Sequence, residues 1–215
     1  MVHKLLYLLV FATLPVLSSG QSIFPGIKAG LGGAFFKNSD VKDEYTFSYS
    51  MGVFTNYILT EDKRLSMQVE VLFASKGGAS YKIFSDVEPY PIADKRLTYE
   101  LYYLEIPVMI KVSSRESYTQ LYAALAEPYR VYAMTGLAPA FFIKGRSKFD
   151  IYNGSPINNA NSFDIGWASG IGLEYRINRR TLLFVEGRVN NGFRKIFDHT
   201  SVKNFTYALM SGIRF

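Results

Sequence analysis

The stretch FDIGWASGIGLEYRI, residues 163–177, restricts what this chain can fold into more than any other. Taken two residues at a time, it places Ile165, Trp167, Ser169, Ile171, Leu173 and Tyr175 on one face. Asp164, Gly166, Ala168, Gly170, Gly172, Glu174 and Arg176 fall on the other. Successive side chains of a β-strand point to opposite sides, so this period identifies a strand. A row facing water gains nothing from a run of small residues, whereas a crowded interior requires them. The pattern predicts a barrel with an apolar outside and a narrow, polar inside.

The same division recurs along the chain. Residues 26–36 set Ile27, Ala29 and Leu31 against Lys28, Gly30 and Gly32, and residues 45–59 set Tyr45, Phe47, Met51 and Val53 against Thr46, Ser48 and Gly52. A third strand begins at Leu65, with Glu70 on its polar face; further strands are expected over 97–112, 129–144, 181–189 and 205–215. With 163–177, the count is eight. The fold class expected is all-β, an eight-stranded antiparallel up-and-down transmembrane β-barrel. Pro107 interrupts the fourth strand, and because proline cannot donate to a ladder, a bulge or a local break is expected there.

Segments 37–44, 76–96, 145–162 and 190–204 read as loops, and 60–64 and 178–180 as tight turns. The longer connections therefore collect at one end of the barrel and the shorter ones at the other. Residues 113–127 break this order, being long for a turn on the short side.

The polar faces gather Lys28, Glu70, Glu105, Lys111, Arg130, Glu174, Arg176, Glu186, Arg188 and Arg214. Unpaired charges in a narrow lumen are costly, so a paired network is expected. Such a network serves either as a gated polar path or as a plug; eight strands enclose only enough room for side chains, which favours the plug. Tyr45, Tyr57, Tyr99, Trp167, Tyr175 and Phe215 lie near expected strand ends and read as aromatic anchors at the membrane interfaces.

The first 20 residues carry Lys4, an apolar run from Leu5 to Leu17 broken by Pro15, then Ser18, Ser19 and Gly20. They read as a signal peptide cleaved before Gln21, with residues 21–215 as one barrel domain. Beyond them no apolar run reaches the length of a membrane-crossing helix. The chain has no cysteine, so neither a disulfide framework nor a lipoprotein anchor is available. A net charge of +6 is spread rather than clustered, and no nucleic-acid partner is expected. His199, within Asp198–Ser201, lacks a separate nucleophile and orienter, so no enzymatic activity is expected. No metal and no cofactor are expected.

The stretches YLEIPVMIK, FDIGWASGIGLEY, LFVEGRVNNGF and ALMSGIRF resemble the porin-family outer-membrane β-barrel domain, similar in build to the small OmpA and OmpX barrels and PorT-like. The resemblance implies residence in the outer membrane of a Gram-negative bacterium, contact with outer-membrane lipid, and delivery by the barrel assembly machinery through the last strand, which ends in Phe215. It implies no shared activity. The function expected is a structural, adhesive or partner-binding role exerted through the outer loops, with a narrow pore for ions or small solutes as the alternative. No extracellular partner can be named from these residues. A soluble lipocalin-type barrel is disfavoured by the glycine-rich polar faces and the terminal Phe215.

Overall fold

Strands with one bulky and one small face bury the small face most completely by closing into a ring. The computed structural model describes residues 23–37, 43–80, 97–114, 129–149, 155–157, 160–178, 181–197 and 201–215. Its strands are β1 (Ile23–Lys37), β2 (Thr46–Ile58, preceded by the short piece Asp43–Glu44), β3 (Leu65–Ser80), β4 (Leu97–Glu105 continued by Val108–Ser113), β5 (Tyr129–Phe149), β6 (Phe163–Arg176), β7 (Leu182–Gly192) and β8 (Lys203–Arg214). Each pairs antiparallel with its neighbour in the chain, and β1 also pairs with β8 from Gly26↔Arg214 to Lys37↔Lys203. The sheet is thus a closed, eight-stranded, up-and-down barrel. Closure leaves no edge to be covered.

The two faces separate as the alternation requires. Outside, Ile27, Leu31, Phe47, Val53, Val131, Ile171, Val185 and Leu209 are exposed. Inside, Lys28, Gln68, Glu70, Lys111, Glu174, Glu186 and Arg188 are buried. This inverts the soluble arrangement, in which charge faces out and bulk faces in. Among the described residues no helix is long and apolar enough to cross a membrane.

Pro107 breaks the ladder without changing its register. Glu105↔Ala140 and Val108↔Leu137 lie on one continuous alignment with β5, as Glu105↔Leu72 and Val108↔Val69 do with β3. The Pro107 carbonyl still accepts from Glu70 N at 2.9 Å, and Ile106 N donates to the Pro139 carbonyl at 2.8 Å. Only the donors that proline lacks are lost. The bulge lies elsewhere: Tyr103 pairs with Phe142 but Tyr102 with Lys144, leaving Ile143 as an extra residue on β5.

All four segments read as loops begin or end as strand, 37–44 with Lys37 of β1 and the paired piece Asp43–Glu44. β3 runs on through Lys76 to Ser80, past Gly77, whose φ of 140° is one that side-chain-bearing residues rarely adopt. β5 continues to Phe149 and β7 to Gly192. In β5 a bulge interrupts the alternation, whereas the ends of β3 and β7 keep theirs and are concealed by their glycine, serine and asparagine content, which reads as loop. Residues 81–96, most of 113–127, the first 20 residues read as a signal peptide, and His199 lie outside the described residues.

At the end opposite the termini, the barrel mouth is filled by Phe36, Leu101, Tyr103, Ala140, Ile196 and Val202. Ile196 and Val202 come from the segment between β7 and β8, which is fixed there by Ile196 N donating to Val202 O at 2.9 Å and Asn161 N to Ile196 O at 2.8 Å.

Candidate functional site

The lumen holds charged side chains at three levels. In the middle, β1, β3 and β7 bring Lys28, Glu70, Glu186 and Arg188 together. Arg188 grips Glu70 with both terminal nitrogens, Nη1 to Oε2 at 2.6 Å and Nη2 to Oε1 at 2.8 Å, and also reaches Glu186 at 2.7 Å. Lys28 Nζ lies 3.0 Å from Glu70 and 3.3 Å from Glu186. Two cations thus face two carboxylates, and the charge is balanced among buried side chains. Phe54 and Phe184 flank Lys28, their ring centres 5.5 and 5.3 Å from its ammonium. Gln68 donates to Glu70, and Tyr132 donates its hydroxyl hydrogen to Glu186 at 2.9 Å.

Towards the termini, Glu174 of β6 is the common acceptor. Lys111 approaches it at 2.5 Å, Arg130 Nε at 2.8 Å and Arg214 at 3.8 Å. Lys111 also sits over the Tyr132 ring at 3.8 Å, so Tyr132 links this level to the middle one. Towards the mouth, Lys76 lies 2.5 Å from Glu105, which also accepts from Asn190 Nδ2 at 3.0 Å. Asn204 then donates to Tyr103 at 3.4 Å and to Asp164 at 3.3 Å.

The glycines of β6 explain how so much fits. A Cβ built on Gly172 would lie 2.4 Å from the Tyr132 ring, so the small face of that strand is the space Tyr132 occupies. Beside Glu105, Lys76, Arg188 and Asn190 a lumen cavity of about 30 Å³ remains. That is space for one or two waters.

Of the residues singled out from the sequence, Lys28, Glu70, Glu186 and Arg188 form the middle level, Lys111, Arg130, Glu174 and Arg214 the terminal one, and Glu105 the upper one. Arg176 is half-buried at the terminal end. Lys76, Gln68, Tyr103, Tyr132, Asp164, Asn190 and Asn204 join the lumen as well. Tyr132 lies on the same alternation as Arg130 and Met134 and could be read from it; Lys76 likewise continues the alternation of Glu70 and Ala74, but it opens a segment read as a loop.

The aromatic residues divide differently. Tyr57, Tyr175 and Phe215 face outward at the terminal end, where Tyr175 packs on Tyr129 at 5.2 Å. Tyr45 faces outward at the mouth end against Phe35 and Tyr207, and Trp167 lies exposed on β6, its Nε1 donating to Ser169 at 3.0 Å. Tyr99, expected at the interface, instead points inward and packs on Phe36 and Phe197. It shares the inward parity of Tyr103 and Leu101, so strand position near an end did not decide its face. A further outward aromatic row runs Tyr49, Phe73, Tyr102, with Phe73 and Tyr102 stacked at 5.7 Å.

Comparison with known proteins agrees with this architecture. A family model described as outer membrane protein beta-barrel domain matches residues 20–198. No curated protein matches the chain. Among solved structures, Neisserial surface protein A is similar at 17% identity and a TM-score of 0.51, over 91% of this chain and 98% of that one. OprG from Pseudomonas aeruginosa aligns at 10% identity and a TM-score of 0.47, over 90% and 95% of the two chains. Ail of Yersinia pestis, in complex with the heparin analogue sucrose octasulfate, aligns at 12% identity and a TM-score of 0.41, over 90% and 99%. The likeness to Neisserial surface protein A shows a common fold at an identity too low to carry function.

Proposed function

The chain belongs to the outer membrane protein beta-barrel domain family, and from that premise we propose that it works as a closed, non-enzymatic barrel whose lumen is a plug. Its role is structural, adhesive or partner-binding, exerted outside the barrel wall and through the loops at the mouth end. In this reading a cleavable signal peptide exports the chain, the assembly machinery takes it up by its last strand, and outer-membrane lipid surrounds its apolar band.

One observation carries the proposal: the middle of the lumen is spanned by the Lys28, Glu70, Glu186 and Arg188 quartet, in which every charge has an opposite charge within 3.3 Å. Ions crossing the lumen would have to displace these pairs from a site with little room for water, and the apolar mouth cluster adds a second closure. Glu70, Glu105, Glu174 and Glu186 are each held by cations, which leaves none of these four poised as a general base.

Single-channel recording of the refolded protein in a planar bilayer tests this reading. A correctly folded barrel is expected to stay silent. Discrete, ion-dependent steps that change on Glu105→Gln or Arg188→Gln would instead establish a narrow pore with the lumen charges as its filter.

A further inference from the structure

The bulge at Ile143 reverses the facing of the rest of β5. Below it, Arg130, Tyr132, Met134, Ala138 and Ala140 point into the lumen. Unbroken alternation would send Lys144, Arg146 and Lys148 inward after them. One inserted residue turns all three outward, opposite Tyr102, Glu100 and Thr98 of β4. All three are exposed, with the Arg146 and Lys148 side chains at 54% and 45%.

The result is a ladder of cations on the outer wall near the mouth, with successive charges about 7 Å apart along the strand. Glu100 is the carboxylate among them, 2.9 Å from Arg146 Nε and 2.5 Å from Lys148 Nζ. Lys144 lies over the ring of Tyr102, 5.4 Å from its centre, and Arg146 Nη2 donates to the Tyr102 hydroxyl at 3.3 Å. Among the described residues, three cations against one carboxylate leave the patch positive.

Two features indicate what it takes. An excess of cations held by short contacts and an aromatic base suits a phosphate, which accepts charge-assisted hydrogen bonds. The patch also continues the lipid-facing wall: its floor is the outward row Tyr49, Phe73 and Tyr102, and β5 below the bulge presents the exposed Leu137 and Val131. A ligand whose acidic head meets the cations while its apolar part lies along the wall satisfies both.

We propose that Lys144, Arg146 and Lys148 form a binding site for the phosphate-bearing headgroup of a membrane lipid in the leaflet at the mouth end of the barrel. This rests on the reading of the chain as a membrane barrel and adds a specific lipid contact to it. Glu100 competes with the lipid for Arg146 and Lys148.

The test is native mass spectrometry of the purified full-length mature protein in micelles doped with bisphosphorylated lipid A, dephosphorylated lipid A or phosphatidylcholine. Retention of the bisphosphorylated lipid is expected, weakened about tenfold or more in Lys144→Gln/Arg146→Gln/Lys148→Gln. Lys63→Gln/Arg64→Gln, exposed at the opposite end, should bind as the unaltered protein does. Glu100→Gln should bind several-fold more tightly, which keeps the proposal testable if the triple variant does not fold. Equal retention of all three lipids, equal retention by the triple variant, or full displacement by inorganic phosphate would overturn it. Heat-modifiable migration and insertion into vesicles, recorded on the same samples, separate the two readings. A chain that fails to insert breaks the membrane-barrel reading, whereas an inserted barrel with no lipid preference breaks only this proposal.

Discussion

Arg188 and Glu70, 118 positions apart in the chain, meet in the middle of the barrel as a two-pronged ion pair, at 2.6 and 2.8 Å. Neither is near the other in sequence, and neither strand pairs with the other in the sheet; the lumen alone brings them together. Lys28 shares the same carboxylate from a third strand. The pair therefore ties opposite walls of the barrel to each other, a cross-brace that no ladder hydrogen bond supplies.

Removing one member strands the rest. Glu70→Gln leaves Lys28 and Arg188 to share Glu186 in a buried site. A loss of about 3–5 kcal/mol is expected, read as the midpoint shift in urea unfolding of the vesicle-inserted barrel. In a double-mutant cycle, Glu70→Gln combined with Arg188→Met should lose much less than the sum of the single losses. Additive losses would show that the pair does not act as a brace.

The fit between Gly172 and Tyr132 makes a second prediction. Gly172→Ala places a methyl group 2.4 Å from the Tyr132 ring and should cost about 1–3 kcal/mol through overpacking. Tyr132→Ala in the same chain removes the ring clash but leaves the Val185 carbonyl oxygen 2.7 Å from that methyl group, so the added cost of Gly172→Ala should fall in that background without vanishing. The same unfolding assay measures both.

Ile171, 71% exposed, lies on the outer wall. Ile171→Arg should lower barrel stability by about 2–4 kcal/mol if the residue lies near the bilayer midplane, and less towards either interface. The variant's yield of inserted barrel in vesicles measures this. An arginine tolerated there at no cost would mean that the wall faces water.

Ile196 closes the mouth at 2% exposure. Ile196→Ala should cost about 2–5 kcal/mol locally by leaving a cavity. The pairing of β7 with β8 does not depend on it. Faster proteolysis of the segment between β7 and β8, with heat-modifiability unchanged, is the expected result.

Much of this architecture was legible residue by residue. The bulky and small faces of β6, the inward placement of Lys28, Glu70, Glu105 and Arg188, and the ladder break at Pro107 all follow from alternation or from proline's missing donor. Tyr99 was also legible in principle, because it shares parity with Tyr103, but nearness to a strand end pointed the other way. Lys76 keeps the parity of Glu70 and Ala74 and was legible in principle, but the Gly- and Pro-bearing stretch after it reads as a loop. The outward facing of the cations from Lys144 to Lys148 was not legible, because the extra residue Ile143 disturbs the count and after a bulge every later side chain changes face.

The sequence by itself determined the number of strands, their two faces and the sign of what each face carries, because Cβ direction alternates along a strand whatever lies beside it. Only the tertiary structure decided which cation meets which carboxylate, that Ile196 and Val202 fill the mouth, and that Ile143 turns three cations towards the outside. Those outcomes depend on register between strands, and register is set where distant segments meet.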